Sequence, residues 1–268
     1  MDSLRVVTYN VRHEINGGRD AWEPRYELLA TILDTLDPDI IGLQEATERQ
    51  LSDIQNHLSG YQWVGCGPSS GQNNPIGYRN PIELVDWQVT WLSETPHEPE
   101  STGWDAVHPR ALTQTTLTAG RSTSTNITEL TVFNTHFDHG GQQSRQESAC
   151  LIRHRIDELP YERPIILLGD FNVPPASPVD ELLTSDDFDR QLVDSWSEAD
   201  TVSGPETTFT GFRHPLPGRR FDRIFITPDI EAGHVANIST TFGGDFPSDH
   251  LPVCAELRLH GEHHGSPD

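Results

Sequence analysis

Apolar residues recur along this chain with two different periods, which predict both strands and helices. Short β-branched runs such as 4–11 (LRVVTYNV) and 165–172 (IILLGDFN) are typical of buried strands. Between them a helical period begins near Pro24, a residue suited to the first turn of a helix. Its predicted apolar face consists of Leu28, Leu29, Ile32, Leu33 and Leu36.

The same two periods predict the remaining elements. Helical patterns cover 51–58 and 142–159, and strand patterns cover 39–45, 75–79, 82–92, 111–119, 130–138, 220–226 and 251–259. The strands between 76 and 137 follow one another without a helix, which favours antiparallel sheets. Two such sheets packed face to face, with helices outside, would bury the apolar runs. We expect a single domain over 1–260 and a disordered tail at 261–268.

The chain carries a large excess of negative charge. The 268 residues include 41 acidic and 18 basic ones, a formal charge of −23, and every basic residue is arginine. Such a charge bears on solubility and association rather than on fold. We favour a halophilic protein from a high-salt cytoplasm over a generic acidic protein, because concentrated salt screens crowded carboxylates. Neither a signal peptide nor an apolar run of about 20 residues is visible, so we expect a cytoplasmic protein without a membrane partner.

Polar residues with functional side chains stand at or beside the ends of the predicted strands. They are Asn10, Glu45, His136, Asp170, Asn172, Asp222, Asp249 and His250. Taken singly, each is explained as a turn, cap or surface residue. That explanation does not account for oxygen ligands, two imidazoles and two amides occurring together. We therefore expect several of them to converge on one rim of the sandwich.

Attack of water on a phosphate ester needs such a set of side chains. Mg²⁺ prefers oxygen ligands and binds one or two carboxylates, a role that Glu45 and Asp249 suit. The attacking water must lose a proton, so Asp170 suits the role of base or orienting group. Charge on the phosphoryl oxygens needs fixed donors, for which the candidates are His136, His250, Asn10 and Asn172. Asp222 is the expected partner of His250 because a carboxylate favours the charged imidazole.

Six motifs, in order, carry a resemblance to a known family. They are TYNVR (8–12), LQE (43–45), NTHFDH (134–139), GDFN (169–172), RFDRIFI (220–226) and SDHLPV (248–253). In this order and spacing they resemble the endonuclease/exonuclease/phosphatase superfamily, which includes pancreatic deoxyribonuclease. The likeness runs from about Leu4 to Leu259. WLSETP at 91–96 resembles a microbial subgroup of that superfamily.

The resemblance implies a four-layer αββα sandwich with the site at one end of the paired sheets. It implies Glu45 as the main ligand of a Mg²⁺ ion, with Mn²⁺ as the alternative, and Asp249 and Asn10 close to that ion. Asp170 would position or deprotonate the water, with Asn172 beside it.

The resemblance also implies how substrate is held. His136 and His250 would contact the scissile phosphate, and Asp222 would orient His250. The implied substrate-binding residues are Asn10, Tyr78, Arg79, Arg110 and Asp138. One departure concerns an acidic residue that many relatives carry before the 75–79 strand, where it pairs with the catalytic histidine. This chain has Gln72, Asn73 and Asn74 there, which leaves the protonation state of His136 open.

Fold and catalytic set do not decide the substrate. Binding to duplex nucleic acid normally uses a basic surface, and this chain has few candidate arginines outside pairs with its excess carboxylates. Trp104 is a candidate for stacking on a base or sugar. We therefore favour a metal-dependent phosphodiesterase or phosphatase acting on a nucleotide, oligonucleotide or phospho-sugar. The alternatives are a DNA or RNA nuclease and a non-catalytic member that binds a phosphorylated ligand.

Overall fold

The computed structural model describes residues 3–15, 17–18, 20–66, 74–119 and 128–259. The predicted tail at 261–268, like Gln72 and Asn73, lies outside the described residues. The elements, in chain order, are β1 (Leu4–Asn10), α1 (Trp22–Leu36), β2 (Ile40–Gln44), α2 (Glu48–His57), β3 (Tyr61–Val64), β4 (Ile76–Arg79), β5 (Glu83–Trp91), β6 (Ala111–Ala119), β7 (Thr128–His136), α3 (Gln142–Asp157), β8 (Ile165–Asp170), α4 (Pro178–Leu183), β9 (Val193–Asp194), α5 (Ser195–Glu198), β10 (Thr201–Ser203), β11 (Asp222–Ile226), β12 (Ile230–Asn237) and β13 (Val253–Leu259).

The strands form two mixed sheets. The first has seven strands in the order β10-β12-β13-β1-β2-β4-β3, and the second has six in the order β5-β6-β7-β8-β11-β9. The pairs β1–β2, β7–β8 and β10–β12 are parallel, and the other neighbouring pairs are antiparallel. The expectation of two mainly antiparallel sheets is therefore confirmed.

Alternating side chains along the strands produce the layers. Val6 and Leu168 belong to the core between the two sheets, whereas their neighbours Val7 and Leu167 pack on the outer faces. Helices α1 and α2 cover the outer face of the first sheet, and α3 and α4 cover that of the second. Strands buried on both faces need continuous apolar runs, which is why the sequence pattern predicted them. The αββα sandwich is confirmed.

A buried polar network joins the sheets beneath one end of the sandwich. Gln44 Nε2 donates to Asn134 Oδ1 at 2.7 Å and to Thr8 Oγ1 at 3.0 Å. Asn134 Nδ2 in turn donates to the carbonyl oxygens of Leu43 and Pro75 at 3.0 and 2.9 Å. Buried polar groups paired in this way fix the relative position of the sheets.

The structure differs from the sequence prediction in detail. Helix α1 begins at Trp22, so Pro24 is its third residue rather than its first. Strands β3, β9, β10 and β12 and helices α4 and α5 were not predicted. Over the described part of the chain, no helix combines the length and apolar character needed to cross a membrane.

Candidate active site

Strand register places three candidate residues in one row of the second sheet. His136 pairs with Asp170 across the parallel β7–β8 ladder, and Asp170 pairs with Asp222 across the antiparallel β8–β11 ladder. His136 and Asp170 end their strands, whereas Asp222 begins β11. Because the three strands are neighbours, these side chains meet at one edge of the sheet.

The first sheet brings its candidates to the same edge. Asn10 ends β1 and Glu45 follows β2, while Asp249 and His250 lie shortly before β13, which runs antiparallel to β1. Asn10 Nδ2 donates to Glu45 Oε1 at 3.1 Å and to Asp170 Oδ2 at 2.9 Å. This amide therefore links the carboxylates of the two sheets.

Three site residues have left-handed backbone conformations. Arg12, Glu45 and Asn172 have φ of 56°, 60° and 52°. Such conformations cost free energy outside glycine and persist only where the surroundings hold them. Gly169, just before Asp170, has φ of 151°, and a Cβ there would lie 2.1 Å from the Thr135 carbonyl oxygen. The close approach of β7 and β8 at the site thus requires glycine.

His250 is paired with Asp222. Its Nδ1 lies 2.8 Å from Asp222 Oδ2, and its Nε2 lies 3.7 Å from Asp170 Oδ2. Phe209 packs edge-on against the imidazole, with ring centroids 5.0 Å apart. Burial lowers the pKa of His250, but the charges of Asp222 and Asp170 outweigh it and raise that pKa well above 6.5. The two carboxylates therefore favour the protonated form of His250.

His136 has a cationic partner instead. Arg110 Nη1 lies 2.9 Å from its Nδ1, and Asn172 Nδ2 lies 3.0 Å from its Nε2. Burial and the charge of Arg110 lower the pKa of His136 to about 4. Asn74, one of the three residues that precede the 75–79 strand in place of an acidic residue, donates its Nδ2–H to the Ala111 carbonyl oxygen at 2.7 Å.

Asp138 lies behind Arg110. Its Oδ2 is 3.4 Å from Arg110 Nε and also accepts the His108 backbone N–H, while its Oδ1 accepts the N–H groups of Gly140 and Gly141. Burial raises the pKa of Asp138, but these backbone donors and Arg110 bring it well below its usual range. A stable carboxylate thus holds Arg110 against His136.

Glu45 is surrounded by donors that the sequence analysis did not single out. Its Oε2 accepts from Arg12 Nη1 at 3.3 Å, from His13 Nδ1 at 2.7 Å and from the His13 backbone N–H at 3.2 Å. Burial raises the pKa of Glu45, but His13, His136 and Arg12 bring it well below its usual range. Arg12 lies two positions after Asn10 in the TYNVR motif, which was the available signal.

Glu45 and Asp249 fit the ligand chemistry of a hard cation. Arg12 Nη1 lies 3.3 Å from Glu45 Oε2, and Arg12 Nε lies 3.6 Å from Asp249 Oδ2, so the two carboxylates already face a common positive charge. Asn10 fits less well, because its Oδ1 accepts the Arg12 backbone N–H at 3.0 Å and its Nδ2 faces the carboxylates. In this conformation Asn10 is a bridging donor.

A second group of side chains also has the spacing of a metal site. One ligand atom from each of Asp170, Asp222 and His250 lies within 4.8 Å of the others. Two of these three side chains are already joined directly, because His250 Nδ1 lies 2.8 Å from Asp222 Oδ2. We therefore interpret this group as a histidine–carboxylate pair beside Asp170.

Two substrate-binding candidates lie at the end of β2 opposite to Glu45. Tyr78 pairs with Ile40, at the start of β2, and Glu45 follows the other end of that strand. Tyr78 is 1% exposed in the core, and Arg79 forms ion pairs with Asp37 and Asp39. Because β4 runs antiparallel to β2, this strand leads away from the site. The substrate-binding prediction for Tyr78 and Arg79 is therefore not supported by their position.

Trp104 lies in a groove whose lining includes none of the other candidate site residues. Its half-buried ring lines this groove of about 360 Å³ with Cys150, Leu151 and His154 of α3. Stacking of Trp104 on a base or sugar stays a prediction. Arg220, the first residue of the RFDRIFI motif, pairs with Asp194 at 2.8 Å, in agreement with arginines that pair with the excess carboxylates.

The sequence itself matches a family over most of its length. The sequence model of the endonuclease/exonuclease/phosphatase family matches residues 7–250. This chain belongs to that family. The family's members are phosphoester hydrolases, and the buried carboxylates and histidines described above are the side chains such a reaction uses.

Several family relatives match almost the whole chain. A mannosyl-6-phosphatase of Bacteroides thetaiotaomicron is 33% identical, with a TM-score of 0.87 over 96% of this chain and 100% of that one. An endonuclease/exonuclease/phosphatase of Bacteroides vulgatus is 30% identical, with a TM-score of 0.88 over 97% of this chain and 100% of that one. An uncharacterized protein of Acanthamoeba polyphaga mimivirus is 29% identical over an alignment of 259 positions that covers 87% of this chain and 90% of the viral protein.

Proposed function

We propose that this family member is a divalent-metal-dependent phosphatase that acts on a small phosphate ester, with a phosphorylated sugar as the preferred substrate. The observation that carries the proposal is the position of Asp170 Oδ2. It lies 2.9 Å from Asn10 Nδ2, 3.5 Å from His136 Nε2 and 3.7 Å from His250 Nε2. A buried carboxylate among donors is suited to hold a water that attacks a phosphorus atom bound by the same donors.

Each residue then has a distinct role. Asp170 orients the water and accepts its proton. The charged Nε2–H of His250 donates to a phosphoryl oxygen, and Asp222 stabilises that charge. Glu45 and Asp249 hold the Mg²⁺ or Mn²⁺ ion, which when bound neutralises charge on the phosphoryl group.

Two observations support a small substrate. The 33% identical relative is a mannosyl-6-phosphatase and matches nearly the whole chain. The net charge of −23 disfavours a long polyanion, whose binding normally relies on many basic contacts. The same charge and the absence of lysine support our further proposal that the protein works at high salt.

The test compares substrates at high KCl with Mg²⁺, with Mn²⁺ and with EDTA. We expect phosphate release from mannose 6-phosphate or another hexose phosphate to exceed cleavage of a phosphodiester or a single-stranded oligonucleotide. Loss of a catalytic base typically costs about 10²–10⁴-fold, so Asp170→Asn should reduce kcat by that amount. Asp86→Asn, an exposed change on β5, is the matched control and should leave kcat unchanged.

Three results would contradict the proposal. They are turnover that persists in EDTA, full activity of Asp170→Asn, and a preference for the oligonucleotide. The last result would leave the hydrolase proposal intact and replace the phospho-sugar with a nucleic acid.

A further inference from the structure

Both ring nitrogens of His136 face hydrogen-bond donors. Arg110 Nη1 is 2.9 Å from Nδ1, and Asn172 Nδ2 is 3.0 Å from Nε2. A guanidinium has donors only, so the contact with Arg110 is a hydrogen bond only if Nδ1 carries no proton. An imidazolium would instead direct a second N–H, and a second positive charge, at Arg110.

The other side of the ring determines where the remaining proton points. Asn172 Nδ2 also donates to the Phe137 carbonyl oxygen at 2.8 Å, which fixes the amide with its nitrogen toward the imidazole. If Nδ1 accepts, the ring proton is on Nε2, where Asn172 does not accept it. The nearest carboxylate oxygen to Nε2 among the described residues is Asp170 Oδ2 at 3.5 Å, beyond the usual length of about 2.9 Å. A neutral ring accepts at one nitrogen only, and the charged guanidinium of Arg110 is the stronger donor, so the contact between Asn172 Nδ2 and Nε2 is not a hydrogen bond. Among the described residues the Nε2–H then has no acceptor at hydrogen-bond length, and it can donate to a ligand that enters beside Asp170.

Charged groups face His136 from several elements. Arg110 precedes β6 and His250 precedes β13, and both disfavour a positive imidazole. Asp170 at the end of β8 and Glu45 after β2 favour one. Burial and Arg110 outweigh the two carboxylates, which agrees with the hydrogen-bond geometry.

Arg110 is itself held in place. Asp138 Oδ2 lies 3.4 Å from Arg110 Nε, and three backbone N–H groups fix the Asp138 carboxylate. Both side chains are buried, Arg110 at 4% exposure and Asp138 at 1%. A buried, paired guanidinium cannot turn away from the imidazole without leaving Asp138.

We propose that Arg110 is a positioning residue that holds His136 as a neutral imidazole protonated on Nε2, which donates to a phosphoryl oxygen. The site then combines one neutral donor, His136, with one cationic donor, His250. The phosphate contact rests on the proposed function, whereas the tautomer does not.

The test reads the tautomer directly. Long-range ¹H–¹⁵N spectra of protein labelled on histidine, with and without Mg²⁺, distinguish Nδ1–H, Nε2–H and imidazolium forms, and His136→Gln assigns the signals. We expect His136 to show the neutral Nε2–H pattern near pH 7 and to keep it down to about pH 5.5, below the ordinary histidine pKa of about 6.5. An imidazolium or an Nδ1–H form in the unmodified protein at neutral pH would overturn the proposal.

Variants test the part played by Arg110. Arg110→Gln should raise the pKa of His136 by about one unit or more, because a charged neighbour within a few ångströms is removed. Arg110→Glu should convert His136 to the imidazolium near pH 7. Arg155→Gln, on the flank of α3, is the matched control and should change neither. An unchanged tautomer and pH response in Arg110→Gln would refute the assigned role.

The tautomer of His136 can be measured whether or not the protein is a phosphatase. Should the protein hydrolyse no phosphate ester, the spectra still decide the tautomer of His136. If a substrate is found, Arg110→Gln should lower kcat and shift the acid limb of its pH profile, which a purely structural role would not do. Where the Arg110 variants fail to fold, the spectra of the unmodified protein decide alone.

Discussion

The two histidines of the site differ in the charge of the group that faces Nδ1. Asp222 faces His250 and Arg110 faces His136. The pKa of His250 is raised above 6.5 and that of His136 is lowered to about 4. The raised pKa of His250 stabilises the fold fully at a pH below the pKa of histidine in the unfolded chain. This stabilisation is lost as pH rises through the pKa of His250 in the folded protein. The lowered pKa of a histidine acts oppositely, since protonation of the unfolded chain costs stability as pH falls below about 6.5.

Asp222→Asn should remove the cause of the raised pKa of His250. Without the carboxylate, His250 should lose its proton at lower pH, so we expect kcat near pH 8 to fall about 10²–10³-fold, with a smaller loss near pH 6. Removing one partner of a buried ion pair costs about 3–5 kcal/mol, and this loss should be largest below about pH 6.5 and shrink as pH rises. The measurements are pH profiles of kcat and urea unfolding at several pH values.

Asp86→Asn serves as the control because Asp86 is exposed on β5. Its profile should match that of the unmodified protein. If Asp222→Asn lowers activity equally at every pH, His250 does not owe its charge to Asp222.

Carboxylates and imidazoles at strand ends could be recognised from the sequence as candidate site residues, because the ends of neighbouring strands lie close together at one edge of a sheet. Glu45, Asp170 and His250 meet there for that reason. Arg12 and His13 could not be recognised in this way, since their contact with Glu45 depends on a left-handed turn after β1. Such a turn has no apolar period to reveal it.

Among the elements, those with a clear pattern of apolar residues were predicted correctly, and those without one were missed. Strands β1 and β8 could be predicted because they are buried on both faces and form continuous apolar runs. Strands β6 and β7 could be predicted because apolar and β-branched residues make up most of their nine residues. Strand β12 (IEAGHVAN) could not, because its glycine and polar residues hide the pattern, and its register shifts between Ala232 and His234. Tyr78 lies opposite the start of β2, away from Glu45, and the direction of β4 that places it there cannot be read from the residues of that strand.

Close contact of the sheets at Gly42 gives a prediction about packing. A Cβ at this position would lie 2.1 Å from Leu168 Cδ1 and 2.8 Å from Asn134 Cγ. Gly42→Ala should therefore destabilise the fold by about 1–3 kcal/mol, the usual cost of overpacking a core. Urea unfolding in a fixed concentration of KCl measures the change.

Gly60 is the matched position, because a Cβ there meets nothing within 4 Å. Gly60→Ala should be neutral or stabilise by up to about 1 kcal/mol, through a less flexible unfolded chain. Equal stability of the two variants would mean that the sheets do not approach at Gly42 as described.

At the scale of the whole molecule, uncompensated charge sets the conditions under which the fold is stable. The 41 acidic residues outnumber the 18 arginines by 23. The mutual repulsion of the carboxylates destabilises the compact state. The Debye length falls from about 10 Å at 0.1 M salt to about 3 Å at 1 M, so salt removes most of this repulsion.

Raising KCl from about 0.1 M to about 1 M should therefore increase Tm. Differential scanning calorimetry measures the slope of Tm against the logarithm of salt concentration. The matched variant replaces the exposed carboxylates of Glu98, Glu162 and Asp186 with amides. Because it has less repulsion to screen, it should melt higher at low salt and show a shallower slope, with convergence at high salt. A Tm that is independent of KCl, or parallel slopes for the two proteins, would mean that crowded surface charge does not control stability, and the high-salt proposal would lose its physical basis.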